Sequence, residues 1–125
     1  MLFRSVNVRN EEGSSKSNGI LDYCRLNKVT VQAWSPLQFG AIKGNFLENP
    51  EYDKLSAKLE EIAKREGFTV AAIAIAWILR HPAGIQPVIG TMTPERIRDI
   101  CQASDYLMSR RDWYDLLAAA GNNLP

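Results

Sequence analysis

Between Thr69 and His81 the chain reads VAAIAIAWILR, a run apolar on nearly every side of the helix it would form. Such a helix cannot rest on a surface with one face in water and has to be buried between layers. Its limits are written beside it. Thr69 can cap its start, and Pro82 with Gly84 stops it. The 125 residues are enough for one domain, and the 46% hydrophobic content can supply a real core.

The layers are predicted from the flanking segments. In KVTVQAW (28–34), Val29, Val31 and Ala33 alternate with Thr30, Gln32 and Trp34, a strand that Pro36 ends. IQPVIG (85–90) is a second strand. QFGAIKGNFLEN (38–49) reads as a loop. Asn49 as cap and Pro50 then open a helix striped by Leu55, Leu59 and Ile62 and closed by Gly67. Thr93 and Pro94 open another, with Ile97, Ile100 and Cys101 as its inner face. Ser109 with Asp112 resembles a capping box opening a last helix, with Trp113, Leu116, Leu117 and Ala120 before Gly121. Toward the N-terminus, FRSVNV (3–8) reads as a short strand, NEEGSSKSNG (10–19) as a loop and ILDYCRLN (20–27) as a short helix. The order strand, helix, helix, strand, helix, helix predicts an α/β fold with parallel strands and a right-handed crossover.

Fifteen Lys and Arg against fourteen Asp and Glu give a net charge of +1, no reason to expect nucleic acid or a membrane as partner. LEEIAKREGFTVAAIAIAWILR has the outline of a helix-turn-helix. Its second helix, however, offers Ala, Ile, Val and Trp where base readout needs donors and acceptors. Cys24 and Cys101 have no metal-ligand spacing, and a disulfide framework is not expected. No stretch reaches about 18 apolar residues, and the start lacks the core of a secretory signal. The expectation is a soluble, cytoplasmic protein. The one histidine, His81, is expected to meet the last carbonyls of its helix rather than do chemistry. Glu60 and Glu61, with Lys58, Lys64 and Arg65, read as a solvated face. No catalytic or metal-binding residue is assigned.

Two stretches point to a ligand. In AWSPL (33–37) a large aromatic stands at the C-terminal end of a parallel strand, where α/β proteins bind ligands. Trp34 can stack on a planar ring and Ser35 can donate to a phosphate; the alternative is a tryptophan packed under the next loop. In GTMTPER (90–96) a strand ends, Gly90 lets the chain turn, and a helix begins. The unbonded N–H groups of its first turn and its positive end favour an anion, and Arg96 adds a planar donor fork. The alternative is an ordinary capped helix with a solvated Arg.

Taken in order, VTVQAWSPL, IAIAWILRHP, IQPVIGTMTPERI and RRDWYDLLAAAGN resemble the aldo-keto reductase superfamily over residues 19 to 125. The resemblance implies a (β/α)8 barrel that uses NADPH to reduce carbonyl groups. It makes this chain a single unit from the C-terminal part of that barrel: the last two to three βα units plus the C-terminal helix. KVTVQAW would be the seventh strand, IQPVIG the eighth, and FRSVNV a remnant of the sixth. Trp34 would stack on the nicotinamide, with Ser35 and Leu37 along the pyrophosphate. Gly90, Thr91, Met92, Thr93 and Arg96 would surround the adenosine 2′-phosphate. Three positions depart from the pattern. Gly90 stands where many members have Lys, so NAD(H) is not excluded beside NADP(H). Ile100 stands near a common adenine-binding Asn or Gln. Gln38 and Phe39 replace small residues.

The family's catalytic Asp, Tyr, Lys and His belong to the second to fourth strands, which have no counterpart here, and a full barrel takes about 250 residues. The first reading is therefore the cofactor-binding portion of an oxidoreductase whose carbonyl substrate is met only in an intact enzyme. The alternatives are a non-catalytic nucleotide- or partner-binding remnant and a structural remnant without ligand. An incomplete barrel is expected to leave Val29, Val31, Val88 and Ile89 facing an interior with no opposite wall, and so to self-associate or pair with the missing half.

Overall fold

The computed structural model describes residues 19–37 and 50–121. In chain order the elements are helix α1 (Ile20–Leu26), strand β1 (Gln32–Trp34), a 3-10 turn (Pro50–Tyr52) leading into α2 (Asp53–Glu66), α3 (Val70–Leu79), β2 (Gln86–Val88), α4 (Pro94–Cys101), a second 3-10 turn (Gln102–Ser104) and α5 (Arg110–Ala119). The predictions for FRSVNV, for the loop at 38–49 and for Asn49 as a cap fall outside the described residues.

Among the described residues the sheet has two strands, β1 and β2. They run parallel, with Gln32, Ala33 and Trp34 opposite Gln86, Pro87 and Val88. β1 is shorter than the sequence suggests because its first residues close α1 instead. Lys28 takes a left-handed φ of 55°, and the Val29 N–H reaches back to the Cys24 carbonyl at 2.8 Å. This is the backbone reversal that usually recruits glycine after a helix. Pairing begins where the Gln86 N–H donates to the Val31 carbonyl at 2.9 Å. Neighbouring residues of a strand direct their backbone groups to opposite sides. Pro87 therefore lacks its N–H on the side facing away from β1, which blunts that edge.

The core lies on one side of the sheet. Val31 and Ala33 pack beneath α3, whose Ala72, Ile73, Ile75, Ala76 and Ile78 are buried together with Leu59 and Ile62 of α2 and Leu116 of α5. The doubly covered helix is as expected: α3 touches α2 on one side and β2 and α4 on others. Ile73, at its centre, is 0% exposed. The opposite sheet face, Gln32, Trp34, Gln86 and Val88, is exposed. This corrects the expected facing. Val31 belongs to the helix side, Ile89 packs against the core, and Val29 lies outside the strand, exposed. Of that set, Val88 alone lies on the open face of the sheet.

Most helix ends follow the sequence. The Thr69 hydroxyl accepts the Ala72 N–H at 3.1 Å. Gly67 ends α2 at φ 76°, a conformation a side chain would strain. The first helix differs: Pro50 opens a 3-10 turn, and α2 proper starts at Asp53. In α4 Ile100 is buried, but Cys101 is exposed rather than part of the inner face.

Two contacts join the layers across long stretches of sequence. Trp77 of α3 and Trp113 of α5 stack with centroids 4.9 Å apart and planes 5° from parallel. Each indole N–H donates to the other residue's carbonyl, at 2.9 and 3.0 Å. Arg65 of α2 reaches Asp112 of α5 at 2.7 Å. Arg65 is thus not simply part of a solvated face, whereas Glu60 and Glu61 are exposed.

Candidate functional site

Parallel strands release their chains at the same edge. With Trp34 opposite Val88, Ser35 to Leu37 leave β1 beside the segment from Ile89 to Thr93 that leaves β2. The fold therefore brings the two ligand-suggesting stretches to one rim.

Trp34 stands on the sheet face turned away from the helices, 58% exposed, and so is not packed in the core. Ser35 follows with φ 47°, left-handed for a residue that carries a side chain. That conformation costs roughly 1–2 kcal/mol, and it turns the chain sharply off the strand end. Strain of this sort concentrates at functional sites. Leu37 is half-buried against the core and anchors the far side of the turn.

On the second strand, Gly90 has no left-handed φ, and a Cβ there would meet nothing within 4 Å. Neither backbone nor space demands glycine, so a Cβ is accommodated there. The Thr91 hydroxyl accepts the Thr93 N–H at 3.2 Å and shapes the approach to α4. Met92 is exposed at the crest. Thr93 is the N-cap of α4 but makes no side-chain cap, and Pro94 follows in the first turn. The Ile97 N–H donates to the Thr93 carbonyl at 3.0 Å, so helical bonding starts there. The Glu95 and Arg96 N–H groups precede that first bond, at the positive end of the helix. The Arg96 side chain is exposed beside them, and Glu95 offsets part of its charge. An exposed indole face, a rim of unbonded amides and a guanidinium suit a ligand with a flat ring at one end and a phosphate at the other.

Ile100 stands apart from this rim. It is buried in the core, so the position offers nothing to a ligand. His81 lies in the turn before β2, at the other end of the strand. Its Nδ1 accepts the Ala83 N–H at 3.1 Å, so it binds the turn ahead rather than the helix carbonyls behind. Burial, reinforced by the Arg25 charge, holds the imidazole below its ordinary value. Among the described residues no group of three His, Cys, Asp or Glu side chains could hold a metal ion. Nor is any helix among them long and apolar enough to cross a membrane.

The most connected polar group was only partly legible in the sequence. Asp112, 6% exposed, accepts from Ser109 at 2.7 Å and from Arg65 at 2.7 Å. Burial pushes its carboxyl up, but the Ser109 hydroxyl and the Arg65 guanidinium outweigh burial and hold it below the ordinary carboxylate value. Tyr106 sits alongside at 3.5 Å, its phenol pushed up by burial and the Asp112 charge. The Ser109–Asp112 spacing signalled the cap, and the cap is there; nothing local announced Arg65.

A family model, the aldo/keto reductase family, matches residues 7–119. A 6-dehydroglucose reductase of Agrobacterium fabrum is 41% identical over 104 residues, covering 83% of this chain and 33% of the relative. Another, from Novosphingobium aromaticivorans, is 38% identical over 112 residues, covering 86% and 35%. A thermostable aldo-keto reductase crystallised with the inhibitor epalrestat superposes with a TM-score of 0.66 at 27% identity, covering 87% of this chain and 36% of that one. The chain thus spans about a third of the length of the proteins it matches.

Proposed function

The chain belongs to the aldo/keto reductase family, and from that premise we propose that it is the cofactor-binding, C-terminal part of an NADP(H)-dependent reductase of aldehydes or ketones. In this reading β1 and β2 are the seventh and eighth strands of the barrel. Trp34 stacks its exposed face on the nicotinamide, while Ser35 and Leu37 line the pyrophosphate. The turn from Gly90 to Thr93 and the start of α4 receive the adenosine 2′-phosphate, with Arg96 as the charge partner. The bound cofactor supplies a hydride to the substrate carbonyl. The residues of this chain bind and orient it; the proton donor and its partners come from other strands of the barrel. With glycine at position 90 the site has one cation fewer for the 2′-phosphate, so NAD(H) is not excluded beside NADP(H).

The observation that carries this reading is the parallel register. It sets an exposed aromatic and a helix start with an arginine at one rim, from stretches far apart in the sequence. Because two relatives bear the name 6-dehydroglucose reductase, an oxidised sugar is the first substrate to offer an intact enzyme.

The test is calorimetric titration with NADP+ and with adenosine 2′,5′-bisphosphate. Arg96→Ala removes a charge-assisted hydrogen bond to the phosphate and weakens both by about tenfold or more. Trp34→Ala weakens NADP+ but leaves the bisphosphate unchanged, because that ligand lacks the nicotinamide. Equal affinity of wild type and Arg96→Ala for the bisphosphate would place the phosphate elsewhere.

A further inference from the structure

The single histidine sits where the chain is handed from the buried helix to the second strand. His81 follows Arg80, the C-cap of α3, and the turn it begins runs through Ala83 and Gly84, the latter at a left-handed φ of 62°. That turn is held by two hydrogen bonds. The Gly84 N–H donates to the His81 carbonyl at 3.2 Å, and the Ala83 N–H donates to the imidazole Nδ1 at 3.1 Å. Two residues later the Gln86 N–H makes the first bond to β1. The imidazole is half-buried. The ring of Trp113 in α5 lies 6.2 Å away. The charges acting on it from α1 are Arg25, which opposes a positive imidazole, and Asp22, which favours one.

We propose that His81 is a proton-sensitive latch: its neutral ring holds the turn that seats β2 against β1, and protonation of Nδ1 releases it. An Nδ1 that accepts a hydrogen bond has no proton of its own. Adding one replaces an acceptor with a donor aimed at the Ala83 N–H. The bond is broken, two donors face each other, and a positive charge appears near Arg25. Both effects push the ring out of its seat, loosening the start of β2. The physical cause is geometric, and the depressed basicity of the buried ring agrees with it. The sign follows. With the folded-state value held below the ordinary 6.5, the neutral latch is fully present above that value and is lost as pH falls through the lower, folded one.

The test uses the whole chain and three side chains at this position. Amide exchange is measured at about pH 7.5 and at a pH below the imidazole midpoint read from its nitrogen-15 shifts, with protection normalised to intrinsic rates. In the wild type, protection at Ala83 and Gln86 falls on acidification while that at Ile73 in α3 holds. His81→Asn, whose side-chain oxygen can accept the same N–H without titrating, keeps the protection at both pH values. His81→Ala loses it at both. Nitrogen-15 shifts of the imidazole in the wild type give a second readout that needs no variant, showing an unprotonated Nδ1 at neutral pH and a midpoint below 6.5. An unchanged pH response in His81→Asn, a flat response in the wild type, or a midpoint above that value would each overturn the proposal.

Discussion

Asp112 shows how one side chain can be set by partners the local sequence does not reveal. Its carboxylate accepts from the Ser109 hydroxyl that caps α5 and ties that helix to α2 through Arg65. Asp112→Ala removes the tie to Arg65 and leaves the Ser109 hydroxyl without its acceptor, while the backbone N–H that Ser109 caps remains. The expected loss is on the order of 1–3 kcal/mol, read as a lowered midpoint in urea. The acid side follows from the same contacts. Because the folded carboxyl lies below its ordinary 3.8, its contribution is present above that value and disappears as pH falls through the lower, folded one. The wild type therefore steepens its loss of stability there and Asp112→Asn does not, as melts across that acid range would show. Gly90 makes a residue-scale prediction of the opposite kind. A Cβ at this position would meet nothing within 4 Å, so Gly90→Lys is expected to fold with the wild-type melting point. A cation at that rim strengthens NADP+ binding relative to NAD+, and a melting point within error of wild type with an unchanged NADP+/NAD+ ratio would count against the proposed phosphate seat.

At the scale of the element, α3 decides the packing. It has no polar side because α2, α4 and β2 all lie against it, and its stability comes from that contact rather than from intrinsic propensity. Ile73→Ala empties a site that is fully enclosed and should cost about 2–5 kcal/mol. Leu79→Ala, at a position 41% exposed near the helix end, should cost less than about 1 kcal/mol. Equal losses from the two would mean the helix is not enclosed as described. Helix ends were legible in the sequence because capping is a local matter. A Thr or Ser oxygen reaches an N–H three residues on, and both Thr69 and Ser109 do so. Strand limits were not legible. β1 starts at Gln32 rather than Lys28 because the preceding backbone is used to close α1.

Across the whole molecule, the sheet has one covered and one open face. Trp34 and Val88, with Gln32 and Gln86, look outward from two strands whose other side is dry. The amides of Gln32 and Gln86 meet at 3.4 Å across that face, so it is not uniformly apolar. A tryptophan and a valine displayed there still favour association. Light scattering on this chain alone is expected to show mass rising with concentration, reduced by Trp34→Gln; a monodisperse monomer of 14.0 kDa would contradict it. The same incomplete enclosure bears on chemistry. General acid catalysis typically contributes about 10²–10⁴-fold, and this chain carries no residue assigned to that role. NADPH absorbance mixed with this chain and a simple aldehyde should fall no faster than in a protein-free control.

The sequence by itself determined the order of the described elements, the Thr69 and Ser109 caps and the two stretches that carry the family's pattern. Each depends on residues within a few positions of one another, or on a periodicity that one segment displays alone. Only the tertiary structure decided which face of β1 is dry. Alternation divides Val31 and Ala33 from Gln32 and Trp34 without saying which set meets the helices. It also decided that Trp77 and Trp113 exchange hydrogen bonds, that Arg65 finds Asp112, and that Trp34 shares a rim with Arg96. Those pairings join residues far apart in the chain, and the parallel register and helix packing that bring them together are properties of the folded whole.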